Sequence, residues 1–290
     1  MQYGPAVRRR KLGAELRALR GRAGLTSGAA AELVGWHQSK VSRIETGRSA
    51  VKSADVLLLL DAYEVSDPQL RALLEALAGA DGDSAARHQW WHAYKALLPP
   101  AYRDFISLEA QACRMRTLET SVVPGLLQTP DYARAVTRAA LDGMPQDQVD
   151  SLVEVRIARQ EVLRTDRPDP PLELAAILDE AVLRRPVGGY RVMTRQLHSL
   201  VEAGRLPHVR LHVLPFAAGA HIGLTGPFVI FSFPNIADLD VVVLDHLTSS
   251  LYLERKEDLK DYSEAFTSLQ EHALSAEDTL DFIAGIGDGA

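Results

Sequence analysis

Five polar side chains within six residues carry groups that can recognise the edges of nucleic-acid bases: Gln38, Ser39, Lys40, Ser42 and Arg43. Gln can bond adenine through two atoms, Arg and Lys can bond O6 and N7 of guanine, and Ser can bond a base or a phosphate. Val41 and Ile44 are spaced among them so that a helix would turn both to its inner side. The cluster therefore indicates a DNA-reading helix, and the alternative is a solvated polar face without a ligand.

The distribution of charge favours the first of these interpretations. The chain of 290 residues has a formal net charge of −6, but residues 1–52 contain 11 Lys or Arg and three Asp or Glu, a net +8. A basic end on an acidic remainder is typical of a chain that faces nucleic acid at that end, although a solvated basic arm stays open as an alternative. The candidates for contacts to DNA phosphates, which carry affinity and no sequence choice, are Arg9, Arg10, Thr26, Ser27, His37, Arg48 and Lys52.

Short helices must position these side chains, and apolar spacing with cap signals predicts five of them within residues 1–78. The predicted spans are 8–22, 26–33 with Thr26 as the N-cap, 37–46, 53–63 with Ser53 as the N-cap, and 67–78. The second and third are joined by a short turn that contains Gly35, which is the layout of a helix-turn-helix. In that layout the third helix enters the major groove with its N-terminal residues at the bases.

A small, acidic, glycine-bearing stretch at 79–86 predicts a linker, and residues 87–285 predict a second, α+β domain. Its helices are expected at 87–98, 105–117, from 129, at 147–165, 194–203 and 256–283, and its strands at 172–178, 209–213, 228–233, 239–244 and 251–253. The alternation around 209–213 predicts a half-buried strand with His208 and His212 at the surface. The predicted fold class is mainly α: an N-terminal five-helix helix-turn-helix bundle followed by a larger α+β domain.

Three motifs run through the first domain: Leu12-Gly13-x2-Leu16-Arg17-x-Leu19-Arg20, then Gly24-Leu25-Thr26, then Val41-Ser42-Arg43-Ile44-Glu45-x-Gly47-Arg48. In these it resembles the XRE (Cro/C1-type repressor) helix-turn-helix family. The resemblance implies a DNA-reading third helix, a two-fold dimer, and a structural Glu45 that pairs with an Arg of the first helix, either Arg17 or Arg20. The chain departs from the family at Ser27, where Gln is usual, and at His37, where Ser or Thr often caps the helix.

Further motifs follow the linker: Trp90-Trp91, Leu108-Glu109-Ala110-x-Ala112, Val123-Pro124-Gly125-Leu126-Leu127-Gln128-Thr129-x2-Tyr132-Ala133, Arg156-x2-Arg159-Gln160-x2-Leu163, Asp179-Glu180-Ala181-x-Leu183-Arg184 and Leu214-Pro215-Phe216-x2-Gly219-Ala220-His221. They resemble a domain of unknown function that follows the helix-turn-helix in many regulators of filamentous high-GC bacteria, some of them described as antitoxin-like. That resemblance implies regulation of development or secondary metabolism, and pairing with a small partner protein encoded nearby.

The sequence contains few candidates for a ligand pocket, a catalytic site, a metal site or a cofactor site. The candidates for a ligand or partner pocket are Trp90, Trp91, Gly125, Leu127 and His221, with core packing or an ordinary loop as the alternative. Nucleophile elbows, phosphate loops and dinucleotide fingerprints are missing, so we expect no enzymatic activity, no metal and no cofactor.

Cys113 is the only cysteine, apolar runs fall short of a membrane span, and residues 1–5 lack the apolar stretch of a signal peptide. We therefore expect a cytoplasmic protein without a membrane partner.

The sequence predicts a transcription regulator that binds double-stranded DNA as a homodimer and reads a pseudo-palindromic operator through its third helix. A first alternative is an antitoxin-like interaction protein whose main role is to bind a small partner protein, with autoregulatory DNA binding. A second alternative, an enzyme anchored on DNA, has no motif in its favour.

Overall fold

The structure, a computed structural model, describes residues 6–47, 49, 51–79, 90–94, 96–110, 112–167, 170–233, 240–246 and 249–288. Its contacts divide the chain into two compact units, Met1–Leu108 and Glu109–Ala290. Within the described ranges, no helix is long and apolar enough to cross a membrane, and no three His, Cys, Asp or Glu side chains are grouped as metal ligands would be. The predicted linker lies outside the described residues from position 80 onward.

The first unit is helical. Its helices are α1 (Ala6–Arg22), α2 (Ser27–Leu33), α3 (Gln38–Glu45), α4 (Ser53–Ala62), α5 (Pro68–Gly79) and α6 (Pro100–Glu109), the last of which reaches the boundary between the units. Where a helix was expected over 87–98, the described residues contain a short 3-10 turn, Trp90–Tyr94. The helices expected between residues 8 and 78 are present as α1 to α5, and their observed ends differ from the expected ends by at most two residues.

Local signals account for the helix ends in the first unit. The Thr26 hydroxyl accepts the backbone N–H of Ala29 at 3.1 Å and so caps α2 as predicted. Gly35 has a φ of +67°, a left-handed conformation that glycine adopts at low cost, and this allows the tight turn before α3. The predicted cap at Ser53 is wrong, because the N-cap of α4 is Lys52 and Ser53 is already helical.

The core of the first unit joins α1 to α3 and α4. Leu12, Leu16 and Leu19 of α1 are buried together with Val41 and Ile44 of α3, and each fully buried aliphatic side chain of this kind contributes about 1.5–3 kcal/mol. The two helices approach closely at Gly13, where a Cβ would lie 2.4 Å from the carbonyl oxygen of Ile44. A glycine in α1 therefore determines how deeply α3 is seated.

The second unit is built on a mixed six-stranded sheet. Its strands are β1 (Arg114–Glu119), β2 (Glu173–Asp179), β3 (Val209–Leu214), β4 (Phe228–Ser232), β5 (Val241–Asp245) and β6 (Ser250–Leu253), in the spatial order β3-β2-β1-β4-β5-β6. The pairs among β1, β2 and β3 are parallel, and the remaining pairs are antiparallel. The helices are α7 (Pro130–Ala140), α8 (Gln146–Ala158), α9 (Glu180–Arg184), α10 (Tyr190–Gly204), α11 (Lys256–His272) and α12 (Ala276–Asp288).

Helices cover both faces of this sheet at β3. Phe266 and Leu269 of α11 pack into a cluster with Leu118, Ile177 and the other residues that face them from the strands. On the opposite face α10 and α12 pack against each other and against β3. A strand enclosed in this way loses the plain alternation of buried and exposed residues.

Three expectations for the second unit are wrong. The helix expected over 105–117 ends at Glu109, and β1 starts at Arg114. The helix expected over 256–283 breaks between α11 and α12, where the backbone N–H of Leu274 donates to the carbonyl of Val213 on the sheet edge. His212 is buried and not at the surface, because α11 lies over its face of β3 and Gln270 bonds its ring at 3.0 Å.

Candidate nucleic-acid interface

The third helix, α3, presents a polar face to solvent. Val41 and Ile44 are 0% and 2% exposed and hold it against the bundle. The exposed residues of α3 include four of the five predicted base contacts: Gln38, Ser39, Ser42 and Arg43. Among the described residues, the Arg43 guanidinium takes part in no ion pair. These four side chains are thus accessible from solvent.

Gln38 is oriented by the helix before it. Its side-chain amide nitrogen donates to the hydroxyl of Ser27, the first residue of α2, across 3.0 Å. The small hydroxyl at position 27 therefore supplies an acceptor to the first residue of α3, at a position where the XRE pattern has a longer amide. This bond connects a predicted phosphate contact with a predicted base contact.

His37 caps α3 at its N-terminus. Its Nδ1 accepts the backbone N–H of Ser39 at 3.2 Å and lies 2.8 Å from the Ser39 hydroxyl. The imidazole nitrogen accepts the backbone bond that a side-chain oxygen of Ser, Thr, Asp or Asn accepts at many N-caps, so α3 is capped despite the departure from the family pattern. The contact to phosphate expected of His37 remains a prediction.

Lys40 differs from the other four predicted base contacts. Its ammonium lies 3.1 Å from the carboxylate of Asp55 in α4 and 3.5 Å from the centroid of the Trp36 ring. A half-exposed ion pair combined with a cation–π contact stabilises the fold modestly, by about 0.5–1 kcal/mol for each interaction. Lys40 therefore joins the turn before α3 to α4, a role that its sequence context did not show.

Glu45 is held inside the unit by Arg20. The pair is bidentate, with Nε to Oε1 at 2.6 Å and Nη2 to Oε2 at 2.9 Å, and Arg20 Nη1 also donates to the carbonyl of Leu25. The bond to Glu45 raises the pKa of Arg20, and burial followed by the Glu45 charge raises the pKa of Tyr63, which lies beside them. The structural role of Glu45 is as expected, but Arg17 is the wrong partner because its side chain is exposed.

The predicted phosphate contacts differ in how exposed their side chains are. Lys52 and Thr26 are exposed, Ser27 and Arg9 are half-buried, and Arg10 lies in α1 with its side chain outside the described part of the chain. Arg48 also falls outside the described residues. Lys52 is the N-cap of α4, and it is exposed like Thr26 and His37.

The predicted pocket residues are spread over both units. Trp90 and the buried Trp91 lie in the 3-10 turn of the first unit, whereas Gly125 and Leu127 form a 3-10 turn of the second. His221 lies in another loop, where its Nδ1 is buried without a hydrogen-bond partner among the described residues.

The turn Gly125–Leu127 is fastened by buried polar side chains. The Leu127 carbonyl accepts from Gln196 at 2.7 Å, and Thr129 donates its N–H to the same side chain at 2.7 Å. A Cβ on Gly125 would lie 3.2 Å from the guanidinium of Arg159, which makes two bonds of 2.7 Å to the buried Glu109. Gly125 and Leu127 therefore belong to a packed polar network, and their role in a pocket remains a prediction.

Two family models match the chain. Residues 11–74 match a model described as a helix-turn-helix domain, which is typical of DNA-binding transcription regulators. Residues 102–285 match a model described as a domain of unknown function, DUF5753. No curated protein and no solved structure matches the chain. Because the second model covers more than half of the sequence, the chain belongs to the family of proteins with a DUF5753 domain, which is preceded here by a helix-turn-helix domain.

Proposed function

We propose that the protein is a sequence-specific transcription regulator of the XRE type, which reads operator DNA through the exposed face of α3. The observation that carries the proposal is the arrangement of this helix. Gln38, Ser42 and Arg43 are exposed on one side, and Val41 and Ile44 anchor the other. A helix held in this way can place rigid donors and acceptors against base edges in the major groove.

Electrostatics supports the same function. The acidic residue of α3, Glu45, is buried in its pair with Arg20, so its charge does not oppose a phosphate backbone. Residues 1–52 keep a net +8 against an acidic remainder. Binding through such a surface releases counterions, and the affinity should fall steeply as the salt concentration rises.

The proposed regulator acts as a homodimer. Two copies of α3 about 34 Å apart would read the two halves of a pseudo-palindrome, which is how this kind of domain gains affinity and specificity. The support is the resemblance of the first unit to dimeric repressors, and we assign the dimer contacts to the second unit. Light scattering at operator-binding concentrations should give the mass of a dimer, and a monomer would contradict this part of the proposal.

The experiment that tests the function is genome-wide mapping of binding sites with the purified full-length protein. The proposal predicts one recurrent motif with two-fold pseudo-symmetry, upstream of a limited group of genes. Binding that spreads evenly over the genome would contradict sequence-specific regulation. We propose a cytoplasmic location for the regulator, where its operator is, and no catalytic activity for its second unit.

A second candidate function has one observation in its favour. The loop between β3 and β4 exposes three large apolar side chains, with Phe216 59%, Ile222 52% and Leu224 70% exposed. Residues 215–227 contain no charged residue, which is unusual for a loop of that length at a surface. Such a loop suits a protein partner, as an antitoxin-like protein with a small neighbour-encoded partner would require. Co-purification with that neighbour, lost in Leu224→Glu, would favour this function.

A further inference from the structure

A groove of about 490 Å³ opens in the second unit between α9, the start of α10 and the end of α12. Leu183, Met193 and Leu197, each at most 4% exposed, are buried at its base. Phe282 and Ile286 of α12 line it as half-buried side chains. The volume falls within the range of about 300–1,000 Å³ that is usual for small-molecule sites, and the lining is mainly apolar, as in such sites.

The mouth of the groove carries an aromatic ring. Tyr190, the first residue of α10, lines the groove and is 68% exposed. An aromatic residue that stays this accessible can cover an apolar ligand on one side and still reach water with its hydroxyl. Tyr190 therefore supplies contact area without being needed for the core.

One charged residue is found among the lining residues that the structure describes, and it is Arg184. Its Nε bonds Oε1 of the buried Glu180 at 2.5 Å, while Oε2 of Glu180 accepts the backbone N–H of Phe216 at 2.8 Å. Both carboxylate oxygens are thus occupied, and within the part of the chain that the structure describes the guanidinium is bonded through Nε alone. Its two terminal nitrogens carry the donors that suit a carboxylate or a phosphate.

The start of α10 adds to the positive field at this place. Its N-cap, Gly189, offers no side-chain oxygen, and the first turn of this 15-residue helix contains no acidic residue. The helix dipole therefore keeps an uncompensated positive end next to Tyr190. An apolar groove with an arginine and a bare helix N-terminus at its rim complements a ligand that is apolar along its length and anionic at one end.

We propose that this groove binds an amphipathic organic anion, with its apolar part against Met193 and Leu197 and its anionic group at Arg184. The medium-chain carboxylates represent this chemistry in its simplest form. The role of such a ligand as an effector rests on the proposed regulatory function, but its binding does not. Because Glu180 also holds the start of the apolar loop at Phe216, an occupied groove has a direct connection to that loop.

Calorimetric titration of the full-length protein with octanoate and with octan-1-ol tests the proposal, because the two probes share an apolar chain and differ in charge. Octanoate should bind at one site per chain, and more tightly than the alcohol. Arg184→Gln should weaken octanoate about tenfold and remove the preference for the anion, since a charge-assisted hydrogen bond is lost. Tyr190→Glu, at an exposed position, should also weaken octanoate more than the alcohol by charge repulsion.

Leu251→Glu on β6 is the matched control, because it places a carboxylate at an exposed apolar residue that belongs neither to the groove nor to the apolar loop. It should leave the affinity for octanoate within about a factor of two, and circular dichroism should show all three variants folded. Absence of octanoate binding, equal affinity for both probes, or unchanged binding in both Arg184→Gln and Tyr190→Glu would overturn the proposal. The titration contains no DNA, so a failure of the regulatory function would leave its result unaffected.

Discussion

Gln38 and Ser27 connect the two helices of the helix-turn-helix through a hydrogen bond of 3.0 Å between their side chains. The bond runs from the amide nitrogen of Gln38 to the hydroxyl of Ser27, and it restricts the rotation of the amide. A base contact needs a side chain whose donor and acceptor are already oriented, since freezing a free rotamer costs about 0.5–1.5 kcal/mol on binding. Ser27 is therefore a positioning residue for Gln38.

Ser27→Ala should weaken operator binding by about 0.5–1.5 kcal/mol, because Gln38 loses the bond that orients it. The loss should be concentrated at the base pair that Gln38 reads, as measured with operators substituted one position at a time. Ser66→Ala, an exposed serine between α4 and α5, is the control and should bind as the wild type does. If Ser27→Ala lowered affinity equally for every operator, the hydroxyl would be acting on phosphate alone.

Two glycines of α1 should respond in opposite directions to the same substitution. A Cβ on Gly13 would lie 2.4 Å from the carbonyl oxygen of Ile44, so Gly13→Ala must push α3 away and destabilise the first unit by about 1–3 kcal/mol. Nothing lies within 4 Å of a Cβ on Gly21, and Gly21→Ala should stabilise by up to about 1 kcal/mol through helix propensity. Hydrogen exchange of α1 and α3 amides in the full-length protein measures both changes. Stabilisation by Gly13→Ala would contradict the close approach of the two helices.

Lys40 should behave as a residue of the fold and not as a base contact. Lys40→Met removes its ion pair with Asp55 and its contact with Trp36, and we expect faster hydrogen exchange in α3 and α4. The order of preference among operator variants should stay as in the wild type, with affinity lower by about 1 kcal/mol at most. A changed preference at a single base pair would return Lys40 to the group of base contacts.

Glu119 at the end of β1 should make the second unit less stable as pH rises. Burial raises its pKa to about 7, opposed mainly by the hydrogen bond from Thr117, whereas the carboxyl group titrates near 4.5 when it is not perturbed. Between these values the unfolded chain releases its proton first, so the stability present at pH 4.5 is progressively lost towards pH 7 and above.

Glu119→Gln removes this carboxyl group and should raise the Tm of the second unit by at least about 3 °C at pH 8, with little change at pH 4.5. Scanning calorimetry at the two pH values measures the difference. The exposed Glu271→Gln on α11 is the control and should show the same small effect at both. An equal gain from Glu119→Gln at pH 4.5 and pH 8 would contradict the raised pKa.

Sequence patterns predicted those features of the first unit that depend on neighbouring residues in the chain. Thr26 caps α2 through its own hydroxyl, and Val41 and Ile44 follow the helical period, so these features can be found without any tertiary information. The sequence could not tell whether Arg17 or Arg20 pairs with Glu45. Both lie on α1, and only the packing of α3 decides which of them faces Glu45. Likewise Asp55 and Trp36 had no sequence signal that linked them to Lys40.

The errors in the second unit come from tertiary contacts. His212 alternates with apolar residues as a surface histidine would, but α11 covers its side of the strand and supplies Gln270 as a partner. The helical pattern of 256–283 is continuous, yet the chain leaves the helix where Leu274 can pair with the open edge of β3 at Val213. Such contacts are between residues some 60 positions apart, and no local pattern encodes them.

Selection of binding sites from random oligonucleotides, with wild type and Arg43→Ala in parallel, tests the account most directly. The exposed arginine of α3 should account for about 1–3 kcal/mol of affinity and for the base preference at one position in each half-site. We expect the wild type to return a pseudo-palindrome and Arg43→Ala to return the same motif with that position degenerate. A wild-type protein that enriches no sequence at low salt would contradict the claim that α3 reads DNA.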